Sequence, residues 1–288
     1  MRFHMVTSGK DFKEKIKEFI PKGVKIGVDG RYLSYQDYKM IKRILPNHSL
    51  KDVGDKILLA RLIKDKKEVE NIKKACRIAS EVAVEIPGML REGVKEKEVA
   101  DEIVHRMKKQ GADGEAFETI VAFGENSATP HYTHGERKLK KEDIVLVDFG
   151  AVVNGYVSDI SRTFVYGKPS DKQRRMYEIV LKAQQKAVES IKRNVTFEYI
   201  HKIVQEYINR TEFKGRFIHS TGHTIGLEVH DGFSIAAGVK KRFSEGVTFT
   251  VEPGVYIKGV GGVRIEDDFV VEKEKVKALS SAPKLFEI

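Results

Sequence analysis

IVLVDFGAVVNGYVSDISRTFV, residues 144–165, reads as two buried strands with acids set among their apolar residues. Asp148 follows four apolar residues on a strand whose continuous run implies burial on both faces. Asn154-Gly155 is a two-residue hairpin signal. Pairing Val153 with Tyr156 across that turn sets Asp148 opposite Ser161. Asp159 then lies diagonally from Asp148 on the same face, within reach of a shared cation. An ionised carboxylate in such a place is costly unless it is paired or binds a metal.

The oddity returns further along the chain. Glu252 ends the run VTFTVE just before the turn Pro253-Gly254, and Glu266 sits in GGVRIED. One reading is that Arg162, Arg264 and nearby hydroxyls satisfy these acids. That reading weakens as four acids fall on matching hairpins with histidines beside them. The segment HSTGHTIGLEVHDG carries His219, His223 and His230, spaced by four and seven residues in an otherwise apolar, glycine-containing stretch. One histidine there would more often pack in a core. Four carboxylates and one imidazole match the donors of two hard or borderline divalent cations, such as Mn²⁺, Co²⁺ or Zn²⁺.

The surrounding sequence predicts a scaffold built twice. Asp65 and Glu68 open a helix to about Ile86, ahead of Pro87-Gly88, and a second runs from about Lys95 to Gln110 with Gly111 as its stop. Strand-like segments follow at Phe117 to Phe123, Ile144 to Val152 and Tyr156 to Val165. Ser170-Asp171 then opens a helix to about Lys192, and Thr196 another to about Ile208. Strand-like runs come after them at Val247 to Val251, Val255 to Ile257 and Val263 to Val271. REGVKEKEVADEI from Arg91 aligns faintly with KRNVTFEYIHKIV from Lys192 at an offset of 101 residues. The repeated helix–helix–strands order suggests two half-domains facing one another, with a site that draws ligands from both. Residues 1–60 read as a separate small α/β unit: a helix at Phe12 to Phe19 capped by Asp11, a strand in VKIGVDG, and a helix from Tyr35 to Leu45.

At these motifs the chain resembles the pita-bread metallopeptidases, the family of methionine aminopeptidase, aminopeptidase P and prolidase. The matching segments are VDFG with Asp148, VSDISRTF with Asp159, GHTIGLEVH with His223, FTVEPGVY with Glu252 and GGVRIED with Glu266, linked by spacings of 11, 64, 29 and 14 residues. PHYTHGERKL is similar to the family segment with a substrate-site histidine, here His131. The resemblance implies an α+β pita-bread fold with pseudo-twofold halves over residues 61–288. Residues 24–60 resemble the tail of the N-terminal domain of prolidase and aminopeptidase P, so a shortened N-terminal domain is expected at 1–60.

The resemblance also implies two divalent metal ions, Mn or Co first and Zn as an alternative. Asp148 would bind one, His223 and Glu252 the other, and Asp159 and Glu266 would bridge both. A bridging hydroxide would attack the scissile carbonyl while Glu252 shuttles its proton to the leaving nitrogen. His131 and His230 would hydrogen-bond the substrate and the oxyanion. His219 and Arg264 are assigned to the substrate site, with packing or an ordinary ion pair as the competing reading for each. Arg264 would also hold the acidic ligands in place. Tyr156 reads as a hairpin aromatic before it reads as a donor to the site. HTIGLEVHD and VRIED look closer to the proline-specific members, so an Xaa-Pro dipeptidase or Xaa-Pro aminopeptidase acting on dipeptides or short peptides is expected, as a homodimer. Methionine aminopeptidase chemistry is the alternative, and a non-catalytic pita-bread protein that binds nucleic acid or protein the remote one.

Composition narrows the setting. Of 288 residues, 41% are hydrophobic and 33% charged, enough for a sizeable core and too apolar for wholesale disorder. The 52 basic and 42 acidic residues leave a net charge of +10, but they alternate along the same segments (LIKDKKEVENIKKACR). That pattern argues for a solvated surface against a nucleic-acid face. A single cysteine, Cys76, excludes an internal disulfide, and neither a signal peptide nor a membrane-length apolar run is evident. A soluble cytoplasmic protein is expected.

Overall fold

The computed structural model describes residues 8–192, 194–273 and 275–288. Its contacts divide the chain into two compact units, Met1–Ala60 and Arg61–Ile288. In the first, helix α1 (Gly9–Phe19) is capped by Ser8, whose hydroxyl accepts the Asp11 amide, so Asp11 lies in the first turn and does not itself cap. Strands β1 (Ile26–Val28) and β2 (Leu50–Asp52) pair in parallel, with α2 (Tyr35–Ile44) between them in sequence. Helix α3 (Gly54–Leu62), which sequence reasoning missed, has little amphipathic contrast to reveal it.

The second unit is built twice. Helices α4 (Lys66–Met89) and α5 (Glu96–Lys109) precede β3 (Gly114–Glu115) to β8 (Ile160–Val165); α6 (Asp171–Ser190) and α7 (Phe197–Asn209) precede β9 (Thr248–Val251) to β13 (Lys275–Ala278). The expected capping box, Asp65 with Glu68, opens α4. That helix runs past Ile86 through Pro87 to Met89, because a proline in the final turn removes one late hydrogen bond without breaking those before it.

The repeat at offset 101 is real at the level of burial. Glu96, Val99, Ala100, Ile103 and Met107 are the buried positions of α5, and Phe197, Ile200, His201, Val204 and Ile208 those of α7. The same spacing buries one face of each helix on its own half's strands. A strap crosses the start of each helix in the same way. The amides of Glu96 and Lys97 donate to the carbonyls of Arg137 and Gly135, and those of Phe197 and Glu198 to Lys241 and Val239. Leu139 and Phe243 return the bond to Val94 and Val195.

The long hairpins are less continuous than the apolar runs suggest. Register is as expected, with Val153 opposite Tyr156 and Asp148 opposite Ser161. But the run 144–152 divides into β5 (Ile144–Phe149) and β6 (Ala151–Val153), and 156–165 into β7 (Tyr156–Val157) and β8. The chains approach so closely at the break that a Cβ on Gly150 would lie 1.8 Å from the Ser158 carbonyl oxygen. Likewise β9 and β10 (Gly254–Ile257) part at Glu252-Pro253, and β11 (Gly261–Arg264) and β12 (Asp267–Glu272) at Ile265-Glu266. Asp159, Glu252 and Glu266 all sit in breaks, where the ladder gives way and the backbone can turn a side chain inwards.

Candidate metal centre

All nine residues singled out in the sequence line one cavity of about 340 Å³: His131, Asp148, Asp159, His219, His223, His230, Glu252, Arg264 and Glu266. Asp148 and Asp159 come from the first half's hairpin, Glu252 and Glu266 from the second's. The segment 221–225 lies antiparallel to β9, the Thr250 amide bonding the His223 carbonyl at 2.8 Å and the Glu252 amide that of Thr221 at 2.8 Å. This pairing sets His223 beside Glu252.

The tightest group is Asp159, His223 and Glu266, each buried, with one ligand-type atom apiece all within 4.8 Å of one another. His223 Nε2 lies 3.4 Å from Asp159 Oδ2 and 3.4 Å from Glu252 Oε1. Burial, with His230 alongside, lowers the His223 pKa to about 3, so the ring is neutral. Its Nδ1 side faces the Thr224 carbonyl at 3.4 Å, which leaves the Nε2 lone pair turned toward the carboxylates.

Asp148 Oδ1, Asp159 Oδ1 and Glu266 Oε1 are buried without a hydrogen-bond partner. Burial and mutual repulsion push the Asp159 and Glu266 pKa values well above the carboxylate range, and Glu252 to about 8. Lone pairs converging on one buried space with orphaned oxygens around it fit a divalent cation and little else.

The arginines divide the acids between them. Arg162 does not serve the cavity: it pairs with Asp267 at 2.6 Å, which Lys284, Gln184 and Ser280 also bond, and whose pKa is held low. Arg264 gives Nη2 to Asp148 at 2.5 Å, Nε to Ser161 at 2.8 Å, and Nη1 to the Tyr256 hydroxyl at 2.8 Å and the Pro130 carbonyl at 3.3 Å. Ser161 in turn donates to Glu266 at 2.6 Å. The ion-pair reading of Arg264 therefore holds in this structure, and it places Asp148 just outside the tightest group.

His219 is fully engaged. Its Nδ1–H donates to the Ser220 carbonyl at 2.7 Å, so Nε2 accepts the Tyr256 hydroxyl at 2.9 Å. With its pKa lowered to about 4, chiefly by burial, the ring is neutral and offers the cavity a face. Tyr256 was missed; nothing in FTVEPGVY distinguishes a bridging hydroxyl from a packed ring. Tyr156 bonds Glu68 at 2.8 Å and takes no part in the site.

Residues 70–273 match the model of metallopeptidase family M24. The Xaa-Pro dipeptidase of Pyrococcus furiosus is 39% identical over 96% of this chain and 78% of its own. Among solved structures, the Xaa-Pro dipeptidase of Bacillus anthracis superposes with a TM-score of 0.91 at 37% identity, over 96% of this chain and 78% of that one. The X-Pro aminopeptidase of Thermotoga maritima does so with a TM-score of 0.89 at 34% identity, over the same shares, 96% and 78%. Carrying the pita-bread fold of these enzymes, the chain is a peptidase and belongs to metallopeptidase family M24.

Proposed function

We propose that this protein is an Xaa-Pro exopeptidase, acting on dipeptides or short peptides through two divalent cations in the cavity. The observation that carries the reading is the convergence of Asp159, His223 and Glu266 with orphaned oxygens around them. Asp148, Asp159, His223, Glu252 and Glu266 are the residues that would hold the metals. Mixed oxygen and imidazole donors suit Mn²⁺ or Co²⁺, with Zn²⁺ as the alternative. Such a pair supplies an acidified water and a polarised carbonyl.

The chain's own groups do the rest. Glu252 takes the proton of the attacking water and delivers it to the leaving nitrogen, a role its high pKa suits near neutral pH. His131 and His230 donate to the oxygen on which charge develops. His219, with both ring nitrogens engaged, forms a wall for the residue after the cut. Arg264 holds Asp148 in place. An Xaa-Pro bond is a tertiary amide without an N–H, and chemistry directed at the carbonyl does not need that donor. The relatives named above support proline specificity; a homodimer and a cytoplasmic setting rest on the family resemblance alone.

The test is to incubate metal-stripped protein with Leu-Pro, Leu-Pro-Gly and Met-Ala-Ser, with Mn²⁺, Co²⁺, Zn²⁺ or chelator, and read products by mass spectrometry. Metal-dependent cleavage of Leu-Pro alone makes it a dipeptidase, and of Leu-Pro-Gly alone an aminopeptidase P. Cleavage of Met-Ala-Ser alone overturns the proline reading in favour of methionine aminopeptidase.

A further inference from the structure

Glu96 opens α5 and is completely buried, yet neither the metal site nor the cavity uses it. Its Oε1 accepts the Phe123 amide at 2.8 Å and the Asn126 side-chain amide at 2.9 Å. Its Oε2 accepts the Tyr132 hydroxyl at 3.0 Å and the Gly135 amide at 3.1 Å. Asn126 also donates to the Tyr132 oxygen at 2.8 Å, closing a ring of bonds. A carboxylate at a helix N-terminus is favourably placed for the helix dipole, but that alone does not explain four donors from a distant segment.

That segment forms one side of the cavity: Pro130, His131, Tyr132 and Thr133 all line it. It begins at Gly124, with φ of 50° and no room for a Cβ, which would lie 2.3 Å from the Arg137 guanidinium. The Pro130 carbonyl within it receives Arg264, the residue bonded to Asp148. The matching position in the second half is Phe197, packed in the core against Phe243. Where one half has a phenyl ring, the other has a carboxylate facing a loop.

We propose that Glu96 is a positioning residue, holding the segment Phe123–Gly135 against the scaffold and so setting His131 over the reacting carbonyl. The role for His131 rests on the function proposed above; the anchoring of the segment does not. A carboxylate is required because each oxygen takes two donors. A glutamine has one carbonyl oxygen, and the amides of Phe123 and Gly135 belong to the backbone and cannot turn away. In either orientation its NH₂ group would confront one of them.

Glu96→Gln in the otherwise intact chain tests this by amide hydrogen exchange over residues 120–136, Co²⁺ titration by visible absorption, and kinetics on Leu-Pro. The expected result is exchange about tenfold faster or more in that segment, with Co²⁺ affinity unchanged. The value of kcat/KM should fall about 10- to 100-fold, as a displacement near 1 Å can produce. In a His131→Ala background the same change should cost little more, since both act through one group. Unchanged exchange, or kinetic losses that multiply fully, would overturn the proposal. Should the unaltered protein cleave no Xaa-Pro peptide, the functional reading fails and exchange alone decides whether Glu96 anchors the segment. Should Glu96→Gln not fold, Asn126→Ala removes one bond of the ring and must raise exchange in the same segment by a smaller factor, or the anchoring is refuted.

Discussion

Helices α5 and α7 bury the same five positions and receive the same strap, yet what they bury differs where it matters. Glu96 stands where Phe197 does, and Ala100 where His201 does. The hairpins that follow differ as well: the first half presents Asp148 and Asp159, the second Glu252, Glu266 and, from the segment beside β9, His223. Each half also completes the other. Arg264 of the second bonds Asp148 of the first, and Ser161 of the first bonds Glu266 of the second. A duplicated backbone delivers two carboxylates per half to a common space. The chemistry then comes from the departures from symmetry, which add an imidazole, a guanidinium and an anchored loop.

The comparison is broken most severely by deleting a ligand from one half. A metal supplies several kcal/mol of transition-state charge stabilisation, so Asp159→Asn or Glu266→Gln should lower kcat/KM on Leu-Pro by about 10³-fold. Both should also weaken Mn²⁺ binding in calorimetry. If the halves serve one shared pair of cations, the double variant will be hardly worse than either single one. Independent losses that multiply would mean separate sites.

Phe197→Ala tests the other side of the same position. It empties a fully buried site in the second core and should cost about 3–5 kcal/mol in urea unfolding. Exchange over residues 120–136 and kcat below the unfolding transition should not move. A change in that exchange would mean that the two halves do not use this position differently.

Arg264→Lys keeps the charge and removes the fork. The lysine can reach Asp148 or Tyr256 but not hold Asp148, Ser161 and Tyr256 together, so kcat/KM should fall about 10- to 100-fold, as for outer partners of metal ligands. The lower bond count predicts weaker metal binding too. Intact affinity with normal kinetics would reduce Arg264 to a structural ion pair.

The features legible in the sequence were those that violate a local rule. An acid inside an apolar run is visible because burial is implied by its neighbours, and Asp148, Asp159, Glu252 and Glu266 announced themselves in this way; His223 followed from its place in a glycine-containing apolar stretch. Hairpin register was legible because Asn154-Gly155 sets it locally. Glu96 was not, since REGVKEKEVADEI reads as an ordinary charged helix start and all its donors lie 27 to 39 residues away. The breaks at Gly150, Ser158-Asp159 and Ile265-Glu266 were hidden for a related reason. They arise where chains from different elements approach, as Gly150 does Ser158, and the apolar pattern runs straight across them. The repeat was faint because burial is shared between α5 and α7 while residue identity is not.

His201 offers the finest test of the difference between the halves. Its ring is buried in α7, with Nδ1 3.1 Å from the Thr221 hydroxyl, and burial holds its pKa below the usual 6.5. The folded chain therefore resists a proton that the unfolded chain accepts. The stability this contributes is present above about pH 6.5 and is lost as pH falls toward the folded value, with a slope of at most about 1.4 kcal/mol per pH unit. His201→Ala copies Ala100 from the first half and removes that slope, leaving every metal-ligand titration in place in both proteins. The difference in unfolding free energy between variant and parent, from urea titrations at pH 5 to 8, should thus be flat at the alkaline end and shift in favour of the variant at the acid end. A difference that stays constant with pH would mean that His201 is protonated to the same degree folded and unfolded, and that the helix buries no proton-dependent departure from its partner.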